Sequence, residues 1–75
     1  MSPRLPALRP AQVIKALQRA GFSVVRETGK HAILHRPGLP RPLPIPRHNR
    51  DLKRGTLLAI IKEAGLTPEE FSRYL

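Results

Sequence analysis

The sequence lacks cysteine and tryptophan, and its aromatic residues are one tyrosine and two phenylalanines. Without cysteine the chain has no disulfide, no thiolate zinc site and no cysteine nucleophile. No apolar run approaches the roughly 20 residues that span a bilayer, so we expect no contact with a membrane. Residues 1–10 contain three prolines and no apolar core segment, which is not the pattern of a signal peptide. We therefore expect a cytoplasmic protein.

Acidic residues are also scarce, since five Asp and Glu stand against 14 Lys and Arg, a formal net charge of +9. Such an excess is typical of proteins that bind a polyanion, although a plain solvated basic surface is the alternative. Many of the basic residues cluster within residues 26–54. They are Arg26, Lys30, Arg36, Arg41, Arg47, Arg50, Lys53 and Arg54. This clustering favours a surface that follows the phosphates of a nucleic acid.

The first half of the chain predicts a helix followed by a β-hairpin. Apolar residues at helical spacing after Pro10, ended by Gly21, predict a helix over residues 10–20. The runs 22–28 and 32–36 predict two strands, joined by a two-residue turn at Gly29-Lys30. On that register Thr28 lies opposite His31 and Arg26 lies opposite Ile33, so that these four residues share one face. Apolar residues occur on both faces of both strands, and the sequence does not decide which face is buried.

Prolines at alternate positions predict a third strand at an edge of the sheet. Amide groups two residues apart along a strand point to the same edge, so these prolines all remove donors from one edge only. They are Pro40, Pro42, Pro44 and Pro46. The residues between them can still pair on the other edge. We expect a short edge strand near residues 43–46, with a polyproline-like loop as the alternative.

The last third of the chain predicts two helices and completes the fold. An apolar stripe ended by Gly65 predicts a helix over residues 54–64, and the capping box Thr67-Pro68-Glu69-Glu70 begins a short third helix. Phe71, Tyr74 and Leu75 are available to pack inward from that helix. The expected architecture is α+β, an α-β-β-β-α two-layer sandwich with a short C-terminal helix. We expect a flexible N-terminal arm over residues 1–9 and a single domain over residues 10–75.

Two classes of binding are disfavoured by the side chains that the sequence supplies. Single-strand binders stack bases on aromatic side chains, whereas the three aromatic residues here occupy positions that a core requires. Recognition of backbone and shape remains. His31 and His35 lie roughly 13 Å apart on a strand and cannot share a metal ion. We therefore expect neither a metal site nor a cofactor.

General acid–base chemistry on RNA is easier to supply from these residues. Cleavage needs the 2′-hydroxyl to lose a proton and the leaving 5′-oxygen to gain one, and an imidazole exchanges protons readily near neutral pH. His31 lies beside Lys30, and His48 lies between Arg47 and Arg50. Neighbouring cations can stabilise the charge that develops on the phosphate. The residues alone also allow either histidine to be an ordinary exposed side chain.

A series of short runs along residues 11–75 resembles the HicA-type toxins, in order and with few gaps. The runs are Ala20-Gly21-Phe22, Gly29-Lys30-His31, His35-Arg36-Pro37-Gly38, Ile45-Pro46-Arg47-His48, Leu52-Lys53-Arg54-Gly55-Thr56-Leu57 and Ala64-Gly65-Leu66. The resemblance implies a fold like that of the double-stranded RNA-binding domain. It further implies a metal-independent mRNA interferase, that is an endoribonuclease. Its partners would be mRNA and a HicB-type antitoxin that covers the active face.

The family's catalytic histidine corresponds to His31. Lys30 stands where the family has serine, and Ala32 stands where a second histidine is often found. The candidate RNA-binding residues are the cations around this hairpin and in the connection to the last long helix, together with one histidine. They are Arg26, Lys30, Arg36, Arg47, His48, Arg50, Lys53 and Arg54. A non-catalytic RNA-binding module of the same fold, or an inactive toxin, is the alternative that Lys30 leaves open.

Overall fold

The computed structural model describes residues 5–75 and contains three helices and three strands in that range. In chain order they are α1 (Pro10–Arg19), β1 (Ser23–Glu27), β2 (His31–His35), β3 (Leu43–Pro46), α2 (Arg54–Glu63) and α3 (Pro68–Ser72). This order confirms the α+β sandwich of the double-stranded RNA-binding-domain type, with its short C-terminal helix. In the described range no helix is both long and apolar enough to cross a bilayer.

The strands form one antiparallel sheet in the order β1-β2-β3, with the helices packed on one of its faces. Ala32 and Leu34 of β2 lie opposite Ile45 and Leu43 of β3, and all four side chains are buried. They pack with residues of all three helices, including fully buried Phe71. Since side chains alternate across a strand, the residues between them face away from the helices. The structure thus decides the buried face, which the sequence left open.

Strand β3 is an edge strand, and prolines remove the backbone N–H donors from its outer edge. It pairs with β2 over all four of its residues, and Pro44 and Pro46 contribute no backbone donor. The backbone N–H of Arg47, the next residue, donates to the carbonyl of Lys30 at 2.8 Å. The predicted edge strand over residues 43–46 is therefore confirmed, and its remaining donors point inward.

The helix ends follow the signals in the sequence. Gly21 and Gly65 adopt φ values of 101° and 79°, the left-handed region that glycine enters at little cost, and each follows the C-cap residue of α1 or α2. The predicted capping box at α3 is also present. Thr67 N–H donates to Glu70 Oε1 at 2.9 Å and Glu70 N–H donates to Thr67 Oγ1 at 3.1 Å. The bond from the Thr67 backbone holds the pKa of Glu70 below its ordinary value.

The described part of the N-terminal segment lies against the core, whereas we expected a loose arm over residues 1–9. Leu5 and Leu8 are buried, and Leu8 accepts a 2.8 Å hydrogen bond on its carbonyl from Leu52 N–H. The sequence did not indicate this burial, because the two leucines lie among prolines and fit no helix or strand period. Residues 1–4 of the predicted arm lie outside the described residues.

The C-terminus agrees with expectation in part. Phe71 is buried and Tyr74 is half-buried against the core, as predicted, but Leu75 is 45% exposed. Arg19 Nη1 donates to the Tyr74 carbonyl at 2.8 Å, which fixes the chain just before that residue. Leu75 lies beyond the last helical turn, and the prediction that it packs inward was wrong.

The buried leucines yield a prediction about stability. Leu8→Ala removes a buried side chain from a small core, and we expect the free energy of unfolding to fall by about 2–5 kcal/mol. Urea denaturation followed by circular dichroism measures the change. Ala7→Ser is the matched control, since Ala7 is exposed, and its effect should stay within about 0.5 kcal/mol. Equal stabilities of the two variants would show that this segment is not part of the core.

Candidate functional site

The turn between β1 and β2 is held together by the side chain of Thr28. Thr28 N–H donates to the carbonyl of His31 at 2.8 Å, which confirms the predicted two-residue turn. Thr28 Oγ1 accepts hydrogen bonds from the backbone N–H of His31 at 2.9 Å and of Lys30 at 3.3 Å. Gly29 is not in the left-handed region, so the turn does not use glycine's conformational freedom. The threonine hydroxyl stabilises the turn instead, by accepting hydrogen bonds from the backbone as in other local side-chain turns.

The hairpin register places His31 on the face of the sheet that the helices leave uncovered. Arg26 pairs with Ile33 as predicted, and Glu27 pairs with Ala32. An irregularity between Val24 and Arg26 marks a β-bulge, which shifts the alternation within β1. Because Ala32 is buried on the helix side, His31 and Ile33 face the other way, together with Arg26. The structure therefore brings a histidine and an arginine together on this face, as the register predicts.

The His31 ring is exposed, and neither ring nitrogen bonds to another group within residues 5–75. The contacts of His31 with the turn all involve its backbone. The position of the ring is consequently set by the backbone of the hairpin, and both nitrogens are open to a ligand.

The other two histidines differ from His31 because one ring nitrogen of each is engaged. His35 Nε2 lies 3.1 Å from the carbonyl of Leu39, and since a carbonyl only accepts, Nε2 is the donor. His48 Nδ1 accepts a hydrogen bond from Arg50 N–H at 3.1 Å. A neutral ring that accepts at Nδ1 carries its hydrogen on Nε2. His48 therefore presents a donor and no free acceptor.

Arg47 contacts the hairpin through both its backbone and its side chain. Besides the backbone bond to Lys30, its Nη1 donates to the carbonyl of Thr28 at 3.2 Å. The same Nη1 lies 3.9 Å from Glu27 Oε1, and both side chains of this pair are about half exposed. Arg47 was a candidate RNA ligand, and the structure gives its guanidinium a partner within the protein.

Two surface grooves meet at His48. One, of about 600 Å³, lies between α1 and the hairpin and is lined by Lys15, Gln18 and Glu27 among others. The second, of about 470 Å³, is lined by Arg50, Lys53 and residues at the start of α2. Both are open concavities rather than deep pockets, as expected for so small a domain. Any ligand here is therefore bound at the surface.

The connection from β3 into α2 carries exposed cations at the start of a helix. Arg50, Lys53 and Arg54 are exposed, and the first turn of α2 contains no acidic residue and no side-chain cap. The free N–H groups of a helix start favour anions, and these side chains add positive charge at the same place. Within residues 5–75 no group of three His, Asp or Glu could hold a metal ion.

Arg36 differs from the exposed candidate RNA ligands because it is half-buried and its guanidinium contacts the protein. Its Nη1 lies 3.5 Å from the carbonyl of Ala20 and its Nη2 lies 3.4 Å from that of Ala64, the C-cap residues of α1 and α2. The guanidinium also lies over the Phe22 ring, 5.1 Å from its centroid. The structure thus gives the Arg36 guanidinium partners within the protein, and its role as a phosphate ligand stays a prediction.

The protein-family model for the HicA toxin of bacterial toxin–antitoxin systems matches residues 10–66 of the chain. The chain belongs to the HicA toxin family. The match runs from the start of α1 to just beyond α2 and includes the hairpin and His48. No curated protein matches the chain. Membership of the HicA family gives this chain a toxin role and implies an antitoxin as its partner.

The contacts of Arg36 yield a test of its role. Arg36→Met leaves the ends of α1 and α2 without their shared donor, and we expect a loss of about 1–3 kcal/mol in the free energy of unfolding. Arg41→Met is the matched control, because Arg41 is exposed on the connection that leads to β3. Chemical denaturation compares the two. If Arg36→Met is as stable as Arg41→Met, the guanidinium does not hold the helix ends.

Proposed function

We propose that this HicA-family toxin is a metal-independent endoribonuclease that cleaves mRNA, with His31 as its catalytic residue. The observation that carries the proposal is the state of the His31 ring, which is exposed with both nitrogens unengaged within residues 5–75. His31 lies at the tip of a hairpin in a chain of net charge +9. Lys30 and Arg26 are exposed beside it.

In the proposed reaction the 2′-oxygen of the RNA attacks the adjacent phosphorus and displaces the 5′-oxygen of the next nucleotide. The 2′-hydroxyl loses its proton and the leaving oxygen gains one, so the products carry a 2′,3′-cyclic phosphate and a 5′-hydroxyl. An imidazole can perform one of these transfers and contributes about 10²–10⁴-fold to the rate. Lys30 and Arg26 supply positive charge for the phosphate as its charge develops.

RNA binding in this proposal is electrostatic and follows the backbone. The proposed contacts are made by exposed cations on the hairpin and in the connection to α2, namely Arg26, Lys30, Arg50, Lys53 and Arg54. Phe22 and Phe71 are buried and offer no stacking platform. Each cation that neutralises a phosphate releases counterions, so affinity falls steeply with salt. Such a binder acts on many sequences, as a toxin directed at cytoplasmic mRNA requires.

His48 contributes a hydrogen-bond donor to the RNA in this proposal and does not act as the base. Its Nδ1 is occupied by Arg50 N–H, so the neutral ring offers only Nε2–H. A donor of this kind suits an oxygen of the RNA backbone. His48 lies where the two surface grooves meet.

We also propose that the antitoxin is of the HicB type and covers the face that carries His31. An acidic surface on the antitoxin would complement the excess of positive charge on this chain. Covering this face would exclude RNA from His31 and mask the cations around it.

The second candidate function is RNA binding without cleavage, and the specific observation in its favour is Lys30. This lysine adds a phosphate contact directly beside His31, in place of the serine that the family carries. Such a protein would bind RNA with strong salt dependence and release no cleavage products.

The His31 proposal predicts the outcome of a cleavage assay in chelator. Wild type should cut an RNA transcript in excess EDTA, and His31→Ala should lower the rate at least about 100-fold because the proton transfer is lost. His35→Gln is the control, since an amide can still donate to Leu39 and should preserve the rate. Wild-type cleavage that disappears in EDTA, or survives undiminished in His31→Ala, contradicts the proposal. Binding without any product supports the non-catalytic alternative.

Two substitutions separate the two nitrogens of His48. In His48→Asn the amide oxygen can replace Nδ1 as acceptor for Arg50 N–H, but the Nε2 donor is lost. In His48→Gln the amide nitrogen can reach the position of Nε2 while the contact with Arg50 is lost. We expect His48→Gln to retain more RNA affinity than His48→Asn, by roughly fivefold for one neutral hydrogen bond. The reverse order in a binding titration would show that the loop contact matters and the donor does not.

A further inference from the structure

The tip of the hairpin that carries His31 has no buried side chain to hold it in place. Thr28, Gly29, Lys30 and His31 are all exposed. Their conformation depends on hydrogen bonds alone, which are worth little individually at the surface. A catalytic ring on such a tip is accurately placed only if those bonds persist together.

Arg47 supplies two of these hydrogen bonds from outside the hairpin. Its backbone N–H reaches the carbonyl of Lys30 at 2.8 Å, and its Nη1 reaches the carbonyl of Thr28 at 3.2 Å. One carbonyl belongs to the residue before the turn and the other to the second residue of the turn. Arg47 therefore binds the turn at two points and fastens it to the end of β3, which is itself anchored in the core by Ile45.

We infer that Arg47 is a positioning residue that holds the His31 hairpin for cleavage, rather than a ligand of the RNA phosphates. The inference rests on the proposed function. The guanidinium is turned toward the protein and lies 3.9 Å from Glu27 Oε1. That ion pair is about half exposed and adds little stability, but it lies on the same side of the guanidinium as the bond to Thr28, since Nη1 makes both contacts. Arg47 acts on the reaction through Thr28 and the backbone of the hairpin.

The consequence is expected in the turnover rate rather than in binding. A displacement of about 1 Å in a reacting group can lower a rate roughly 100-fold, whereas a missing phosphate contact mainly weakens affinity. Arg47→Met keeps the backbone N–H and removes the guanidinium. We expect kcat to fall by about tenfold or more, while KM and the log–log salt dependence of RNA binding stay close to wild type.

Arg50→Met is the matched control, because it removes the same charge three residues away. The hydrogen bond of Arg50 uses its backbone N–H, and no side-chain bond holds its guanidinium within residues 5–75. For this variant we expect a higher KM and a salt slope that falls by roughly 0.7–0.9, as for one lost phosphate contact. The two arginines should thus show opposite signatures.

A second pair of variants tests the hydrogen bonds of the turn from the hairpin side. Thr28→Val removes the hydroxyl that accepts from Lys30 and His31 while keeping the shape of the side chain. It should lower kcat in the same manner as Arg47→Met. Gly29→Ala should leave the rate unchanged, because an added Cβ meets no atom within 4 Å and Gly29 is not left-handed.

Amide hydrogen exchange provides a readout that does not depend on catalysis. In Arg47→Met the amides of Thr28 and His31 should exchange faster, while the amide of Leu34 in the core stays protected. Unchanged exchange at the hairpin would overturn the inference, as would a higher KM and a lower salt slope with unchanged kcat. If wild type fails to cleave RNA at all, the proposed function fails, and the exchange data still decide whether Arg47 holds His31.

Discussion

The hydrogen bonds that fasten the β1–β2 hairpin to the end of β3 are the constraint on which the site depends. Thr28 closes the turn with its own hydroxyl, and Arg47 joins the carbonyls of Thr28 and Lys30 to the neighbouring strand. No buried side chain assists them at the tip. The same hydrogen bonds leave the His31 ring exposed to a substrate and fix the position of its backbone.

The rest of the fold serves to hold β2 and β3 in register. Ala32, Leu34, Leu43 and Ile45 anchor the two strands in one core, and prolines keep further strands from the outer edge of β3. Arg36 closes the opposite end of the sheet by joining the ends of α1 and α2. One arginine thus contacts backbone carbonyls at each end of the sheet, Arg47 at the hairpin and Arg36 at the helix ends. Under the proposed function, the cations left to contact RNA lie around the hairpin and the start of α2.

Local patterns predicted the elements well, because each rests on a strong signal. The alternating prolines gave β3 its bounds, the Gly29-Lys30 turn gave the pairing of Arg26 with Ile33, and Thr67-Glu70 gave the start of α3. The roles of the arginines could not be predicted from sequence. Whether a guanidinium faces a phosphate or a carbonyl depends on contacts between residues far apart in the chain, such as Arg36 with Ala64. The choice of His31 as the catalytic residue came from family resemblance, and it stays a prediction.

The most direct test of the account is the chemistry of the ends that wild-type protein leaves on a defined RNA in excess EDTA. Attack by the 2′-oxygen with proton transfer through His31 predicts products with a 2′,3′-cyclic phosphate and a 5′-hydroxyl. End labelling and mass spectrometry identify both. Products with a 3′-hydroxyl and a 5′-phosphate would instead require attack by water on the phosphorus, and they would contradict the proposed role of His31.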